Sequence, residues 1–163
     1  MQWLGVLFDL DMTLVDTSCL KPLRKQRLWK EVYSHIPKTV VFPGMSELVH
    51  ELSGICKMGV VTSAPRPYAE RVVLFHSLPI TVLSTYHDTS YHKPHPEPLL
   101  NGCQKLGIDP SMVISIGDEI NDFKASQSAG IRYFHAVWGG NNLQGVPQEL
   151  LCASVSDLRD RLL

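Results

Sequence analysis

Short apolar runs alternate along the chain with longer segments of helical periodicity. Three runs are almost continuously apolar, which is typical of strands buried on both faces of a parallel sheet, at residues 3–8, 58–61 and 112–116. Two further strands, rich in β-branched and aromatic residues, are predicted at 80–84 and 131–137. Helices are predicted at 44–54, 66–76, 96–106 and 120–129, with a closing helix at 156–163. This alternation indicates an α/β fold with a doubly wound parallel sheet.

Residues 17–42 interrupt this rhythm between the first strand and the first core helix. Leu28, Val32 and Ile36 recur at helical spacing, so one short amphipathic helix is predicted in the segment. Against a single acid, Glu31, the segment carries six basic residues: Lys21, Arg24, Lys25, Arg27, Lys30 and Lys38.

Two interpretations of this basic segment stay open. In the first, it attracts an anionic substrate, and Trp29 and Tyr33 stack on a nucleotide base. In the second, the charges form a solvated helix face and the two aromatic side chains pack on the core.

Composition narrows the class of protein. A chain of 163 residues is expected to form one domain over residues 1–163. Its net charge of −1 provides no overall field that would select nucleic acid or membrane. The four cysteines have neither disulfide nor zinc spacing, and an acid at Asp9 interrupts the first apolar run, so we expect a cytoplasmic protein without a membrane partner.

Polar residues follow the predicted strands, where ligands bind in open α/β sheets. In chain order they are Asp9 and Asp11, Thr62 and Ser63, Lys93, and Asp118 and Asp122. The four aspartates of this set would repel one another in one small volume and raise each other's pKa. A hard cation with oxygen ligands relieves that repulsion, and magnesium is the usual cation beside a phosphate.

The joint pattern resembles the haloacid dehalogenase (HAD) superfamily of phosphohydrolases. The first motif of that family, D-x-D-x-T after an apolar strand, matches FDLDMTLVDT at residues 8–17. A strand-ending Thr matches Thr62, the motif lysine matches Lys93, and G-D-x-x-x-D matches 117–122. The resemblance covers residues 3 to about 140. It implies a Rossmann-like sheet with strand order 5-4-1-2-3 and a turn at 14–17 that distorts the chain after the first strand.

The resemblance also assigns catalytic roles. Asp9 would be the nucleophile that forms a phospho-aspartyl intermediate, and Asp11 would be the general acid and base. An acid at Asp11 favours phosphate-ester hydrolysis over cleavage of a carbon–halogen bond. Thr13 is interpreted as a structural residue that stabilises the turn.

Binding roles follow from the same resemblance. Mg²⁺ would be bound by Asp9, Asp118, Asp122 and the backbone carbonyl of Asp11. Thr62, Ser63 and Lys93 would bind the phosphoryl group.

Residues 17–42 occupy the position at which many family members carry a helical cap over the active site. With 26 residues the segment is too short for the full cap, so a minimal lid or an open site is expected. The substrate is expected to be a phosphorylated small molecule or nucleotide, with a nucleic acid or a phosphoprotein as open alternatives.

Two other functions are compatible with the same residues. One is a phosphotransferase or mutase on the same scaffold, although mutases generally use a full cap to exclude water. The other is a receiver-like signalling domain that is phosphorylated on an aspartate, although D-x-D-x-T is not a receiver pattern.

Overall fold

A computed structural model describes residues 3–163 as a six-stranded parallel sheet with helices on both faces. The strands are β1 (Gly5–Phe8), β2 (Val15–Asp16), β3 (Val40–Val41), β4 (Lys57–Val61), β5 (Val82–Ser84), β6 (Val113–Gly117), β7 (Arg132–Ala136) and β8 (Leu151–Cys152). The main sheet has the order β5-β4-β1-β6-β7-β8, while β2 and β3 form a separate antiparallel pair. The first strand of the chain therefore lies inside the sheet, between β4 and β6.

The predicted α/β class with a parallel sheet is confirmed. All five predicted strands are present, and among themselves they have the predicted order 5-4-1-2-3. The sheet differs in detail because β8 adds a sixth strand beside β7. That strand has only two residues, too few to give a hydrophobic pattern that can be recognised in the sequence.

Seven α-helices complete the described fold: α1 (Lys21–Lys25), α2 (Trp29–His35), α3 (Met45–Ser53), α4 (Arg66–Phe75), α5 (Glu97–Leu106), α6 (Ile120–Ala129) and α7 (Val155–Leu162). The five predicted core helices correspond to α3 through α7. No helix within residues 3–163 combines the length and apolarity required to cross a bilayer.

Strand β1 shows why the apolar runs are continuous. All four of its residues are buried, and successive side chains enter different cores. Val6 and Phe8 belong to a large core with residues of α3, α4 and α7, whereas Leu7 belongs to a smaller core with residues of α5 and α6. Because both faces of β1 are covered, neither needs polar side chains.

The insert at 17–42 differs from its prediction. One helix was expected, but the structure has two, α1 and α2, separated by a turn in which Arg27 adopts a positive φ of 57°. Neither glycine nor proline marks this turn, so no conventional helix-breaking signal is present at residues 26–28. The strands β2 and β3 pair at the two ends of the insert and close it at its base.

The aromatic residues of the insert pack on the protein. Trp29 and Tyr33 lie against the large core, and the Trp29 ring is 6.2 Å from that of Tyr68 in α4. This agrees with the interpretation in which these side chains anchor α2. Both side chains remain partly exposed.

Candidate active site

Strand ends bring three of the predicted site residues into direct contact. The Lys93 ammonium group lies 3.0 Å from Asp9 Oδ1 and 2.6 Å from Asp122 Oδ1. The three side chains are only 7–14% exposed. Asp9 follows β1, Asp122 lies in the first turn of α6 after β6, and Lys93 comes from the loop before α5. Residues separated by up to 113 positions therefore meet at one edge of the sheet.

Backbone hydrogen bonds fix this edge. The Asp9 N–H donates to the carbonyl of Ile116 at 2.8 Å, which continues the pairing of β1 with β6. The second oxygen of Asp122 accepts the N–H groups of Asp118 and Glu119 at 3.1 and 3.0 Å. Asp122 thus caps the start of its own helix while its other oxygen contacts Lys93.

Asp118 is almost fully buried and both of its oxygens have partners. The Thr13 hydroxyl donates to Oδ1 at 2.9 Å, and the Asn141 amide donates to Oδ2. Thr13, predicted to stabilise its own turn, therefore joins the loop after β1 to the loop after β6. Asn141 adds a contact from the loop that follows β7.

Burial and crowding shift the acidity of these groups. Burial raises the pKa of Asp9 well above its usual value, and the carboxylates of Asp122, Asp118 and Asp11 add to the rise against the opposing charge of Lys93. Burial, followed by repulsion from Asp122, raises the pKa of Asp118 to about 6. Burial alone would lower the pKa of Lys93, but attraction to Asp122 and Asp9 outweighs it and raises that pKa.

This charge pattern fits a divalent cation. Asp9, Asp118 and Asp122 each offer a carboxylate oxygen, and these three oxygens lie within 4.8 Å of one another. The donors are all oxygen, as Mg²⁺ prefers, and repulsion among the carboxylates adds to burial in raising the pKa values of Asp9 and Asp118. The charge of Lys93 does not cancel this rise at Asp9.

Asp11, two residues after Asp9, has a separate set of contacts, all to Oδ1. The Thr17 hydroxyl donates at 2.7 Å and the buried Tyr68 hydroxyl at 2.5 Å. The Arg24 guanidinium lies 2.8 Å away. The insert and α4 therefore both contact the predicted general acid and base.

Thr62 and Ser63 follow β4, directly beside β1 in the sheet. Thr62 is buried, and its hydroxyl accepts the N–H of Ala64 at 3.1 Å. Ser63 is exposed. Both lie at the edge that carries Asp9, and their contact with a phosphoryl group stays a prediction.

Other polar residues near this edge of the sheet have different surroundings. Arg66 pairs with Asp88 at 2.6 Å and donates to the Leu83 carbonyl, which makes it a structural tie. His92 and His95 stack on the neighbouring rings of Tyr86 and Tyr91 at 4.1 and 4.5 Å.

Sequence reasoning did not assign the contacts of Thr17, Tyr68 and Asn141 with the site, nor the pairing of Arg24 with Asp11. The basic insert and the Gly-Gly-Asn-Asn loop after β7 were the available signals. Neither one indicates which side chain turns inward.

Comparison with known proteins identifies the family to which the chain belongs. The profile of a family described as haloacid dehalogenase-like hydrolase matches residues 21–136. The N-acetylmuramic acid 6-phosphate phosphatase of Pseudomonas aeruginosa is 32% identical over 165 aligned positions, which cover 91% of this chain and 70% of the relative. The phosphoglycolate phosphatase of Salmonella typhimurium is 32% identical over 124 positions, covering 71% of this chain and 48% of the relative.

Solved structures share the fold. A predicted phosphoglycolate phosphatase from Haemophilus somnus superposes with a TM-score of 0.84 at 20% identity, covering 100% of this chain and 99% of that chain. CbbY from Rhodobacter sphaeroides, solved in complex with phosphate, gives a TM-score of 0.77 at 16% identity, covering 94% and 95%. The expectation of a hydrolase related to phosphatases is confirmed, and the chain belongs to the haloacid dehalogenase-like hydrolase family.

Proposed function

We propose that this chain is a Mg²⁺-dependent phosphatase that hydrolyses a phosphomonoester through a phospho-aspartyl intermediate on Asp9. The observation that carries the proposal is the contact of Lys93 with both Asp9 and Asp122, next to Asp118, at the carboxyl edge of the sheet. A carboxylate nucleophile, a buried cation and a site for a divalent ion are the parts that phosphoryl transfer requires.

In the first step, a carboxylate oxygen of Asp9 forms a bond to phosphorus as the bond from phosphorus to the ester oxygen breaks. Asp11 gives a proton to the departing oxygen, which leaves as an alcohol. In the second step, Asp11 takes a proton from water, whose oxygen attacks phosphorus and restores the Asp9 carboxylate with release of inorganic phosphate.

Mg²⁺ would be bound by the side chains of Asp9, Asp118 and Asp122 and by the Asp11 backbone carbonyl. When bound, it supplies positive charge that offsets the crowded acids and the phosphoryl oxygens. Thr13 and Asn141 hold Asp118 in place through its two oxygens. Lys93, with Thr62 and Ser63, would bind the phosphoryl oxygens.

Small phosphorylated molecules are the proposed substrates. The two relatives compared above are named for phosphoglycolate and for N-acetylmuramic acid 6-phosphate, both small phosphorylated acids. The chain spans 70% and 48% of the lengths of these relatives. These names give no support to a nucleic-acid or phosphoprotein substrate.

Replacement of the nucleophile tests the proposal. We expect Asp9→Asn to lower turnover of an aryl phosphate on the order of 1000-fold or more, because the amide is a poor nucleophile. Asp16→Asn is a matched control, since Asp16 lies in the same motif but its carboxylate contacts, within residues 3–163, only the N–H and hydroxyl of Ser18. Phosphate release, with Mg²⁺ and with chelator, is the measurement.

Phosphate release by Asp9→Asn at the wild-type rate would contradict the assignment of the nucleophile. Transfer of phosphate to an added alcohol in preference to water would favour a phosphotransferase or mutase. A stable phosphorylated protein that never turns over would favour the signalling alternative.

A further inference from the structure

Arg24 is a cation of the insert that reaches the catalytic edge. It lies in α1, a five-residue helix without buried residues, and its Nη1 is 2.8 Å from Asp11 Oδ1. Its guanidinium carbon is 4.6 Å from the centre of the Tyr68 ring, so the planar group lies over an aromatic face. The ring and the carboxylate together hold the guanidinium next to Asp11.

The Nε–H of this guanidinium has no hydrogen-bond partner among residues 3–163. Arg24 Nε is covered from solvent, yet no residue in 3–163 offers it an acceptor. The Nε–Nη2 edge is the one by which Arg159 binds Glu51 in this chain, at 3.0 and 2.9 Å. A covered N–H without an acceptor is unfavourable and calls for an explanation.

The position of Arg24 places it on the leaving-group side of the site. Asp11 is proposed to protonate the ester oxygen, so the organic part of a substrate would lie near Asp11 and its neighbours. Lys93 instead contacts Asp9 and Asp122, where the phosphoryl group would be bound. The two cations are therefore suited to two different parts of one substrate.

We propose that Arg24 binds a carboxylate on the leaving group, so that the enzyme selects phosphomonoesters of small hydroxy acids. This inference rests on the proposed function and names its substrate class. A carboxylate matches the planar fork of an arginine, and it would provide the acceptor that Nε lacks.

A pair of esters that differ in one charge tests the inference. We compare 2-phosphoglycolate with its neutral amide, 2-phosphoglycolamide, and measure kcat/KM for each. The wild-type protein is expected to prefer the acid by about 10- to 100-fold, the range for hydrogen bonds to charged groups. Arg24→Gln should abolish this preference, and Arg24→Lys should retain part of it, because lysine keeps the charge without the fork.

Lys25→Gln is the matched control, since Lys25 is an exposed cation in the same helix without an ion pair in the described chain. It removes the same charge and should leave the preference for the acid intact. An equal loss of preference in Lys25→Gln and Arg24→Gln would overturn the inference, because a general electrostatic field would then explain it. An unchanged preference in Arg24→Gln, with native thermal unfolding, would overturn it as well.

Equilibrium binding separates this inference from the proposed function. Calorimetry on Asp9→Asn with Mg²⁺ measures affinity for the two esters without turnover. If the wild-type protein hydrolyses neither ester, the proposed function is contradicted. A carboxylate site would still be supported if Asp9→Asn bound the acid more tightly than the amide and adding Arg24→Gln removed this difference. Tighter binding of a bisphosphate than of the acid, dependent on Arg24, would overturn the assignment to carboxylates.

Discussion

Gly139 and Gly140 are neighbours in the loop after β7, and each lacks a side chain for a different reason. A Cβ on Gly139 would lie 2.5 Å from Asp118 Cβ and 2.6 Å from the Met12 carbonyl oxygen. At Gly140 there is open space, but the backbone has a φ of 77°, which L side chains rarely adopt. Gly139 therefore allows three loops to approach closely at the site, whereas Gly140 allows a turn.

Alanine substitution at each position distinguishes the effect of steric overlap at Gly139 from the effect of the positive φ at Gly140. Gly139→Ala should lower turnover by about 100-fold, because it displaces Asp118 or the loop after β1 by a fraction of an ångström or more. Gly140→Ala should lower the free energy of unfolding by about 1 kcal/mol with little effect on turnover. Turnover and urea unfolding of both variants check this, and equal loss of turnover in the two would contradict it.

Sequence alone could identify the residues at strand ends but not those that approach from the side. Asp9, Lys93 and Asp122 were predictable because the carboxyl ends of parallel strands share one edge. Arg24 contacts Asp11 because the insert folds back over α4, and that depends on side-chain packing of the insert. Tyr68 contacts Asp11 from α4 itself, and its place in a helix gives no sign of that contact. A count of basic residues shows that the segment is positive, not which cation turns inward.

The elements differ in how far sequence predicts them. The strands of the sheet centre have continuous apolar runs because helices cover both faces of the sheet. The five core helices have periodic apolar patterns because one face of each packs on the sheet. Strands β2, β3 and β8 have two residues each, so tertiary contacts and not local pattern define them. The break between α1 and α2 at Arg27 likewise depends on packing, because Trp29, Tyr33 and Val32 must face the core.

Asp88 joins three elements at the edge of the sheet near β5. Its Oδ2 lies 2.6 Å from Arg66 of α4 and 3.2 Å from Lys105 of α5. The same oxygen accepts the N–H and hydroxyl of Thr85 at 2.7 and 2.9 Å. Partial burial opposes ionisation, but hydrogen bonds from Thr85, Lys105 and Arg66 outweigh it and lower the pKa of Asp88 to about 2.

This tie predicts a pH-dependent loss of stability in Asp88→Asn. Because the folded pKa lies below the unfolded value of 3.8, the carboxylate stabilises the fold above about pH 4 and loses that effect as the pH falls toward 2. We expect the variant to lose about 2 kcal/mol of unfolding free energy at pH 7 and less at pH 3. Asp160→Asn, at an exposed acid, controls for net charge, and urea unfolding at both pH values is the measurement.

At the scale of the whole molecule, we expect the sheet edge that carries the three clustered acids to destabilise the metal-free protein. Asp9, Asp118 and Asp122 meet there with one compensating lysine. The folded pKa of Asp118, about 6, lies above the unfolded value of 3.8, so the folded state binds its proton more tightly. The resulting penalty is fully present above about pH 6 and disappears below about pH 4.

Mg²⁺ and protons should therefore relieve the same repulsion. We expect the Tm of the metal-free protein to rise from pH 7.5 to pH 5, and saturating Mg²⁺ to raise Tm by about 5 °C or more at pH 7.5 but by much less at pH 5. Asp118→Asn should stabilise the metal-free protein at pH 7.5, weaken its response to Mg²⁺ and lower turnover. Thermal unfolding at matched ionic strength checks all three expectations. If acidification lowered Tm equally in wild type and Asp118→Asn, repulsion among the acids at this edge would not destabilise the metal-free protein. The acids would then provide no electrostatic reason for a cation to bind there.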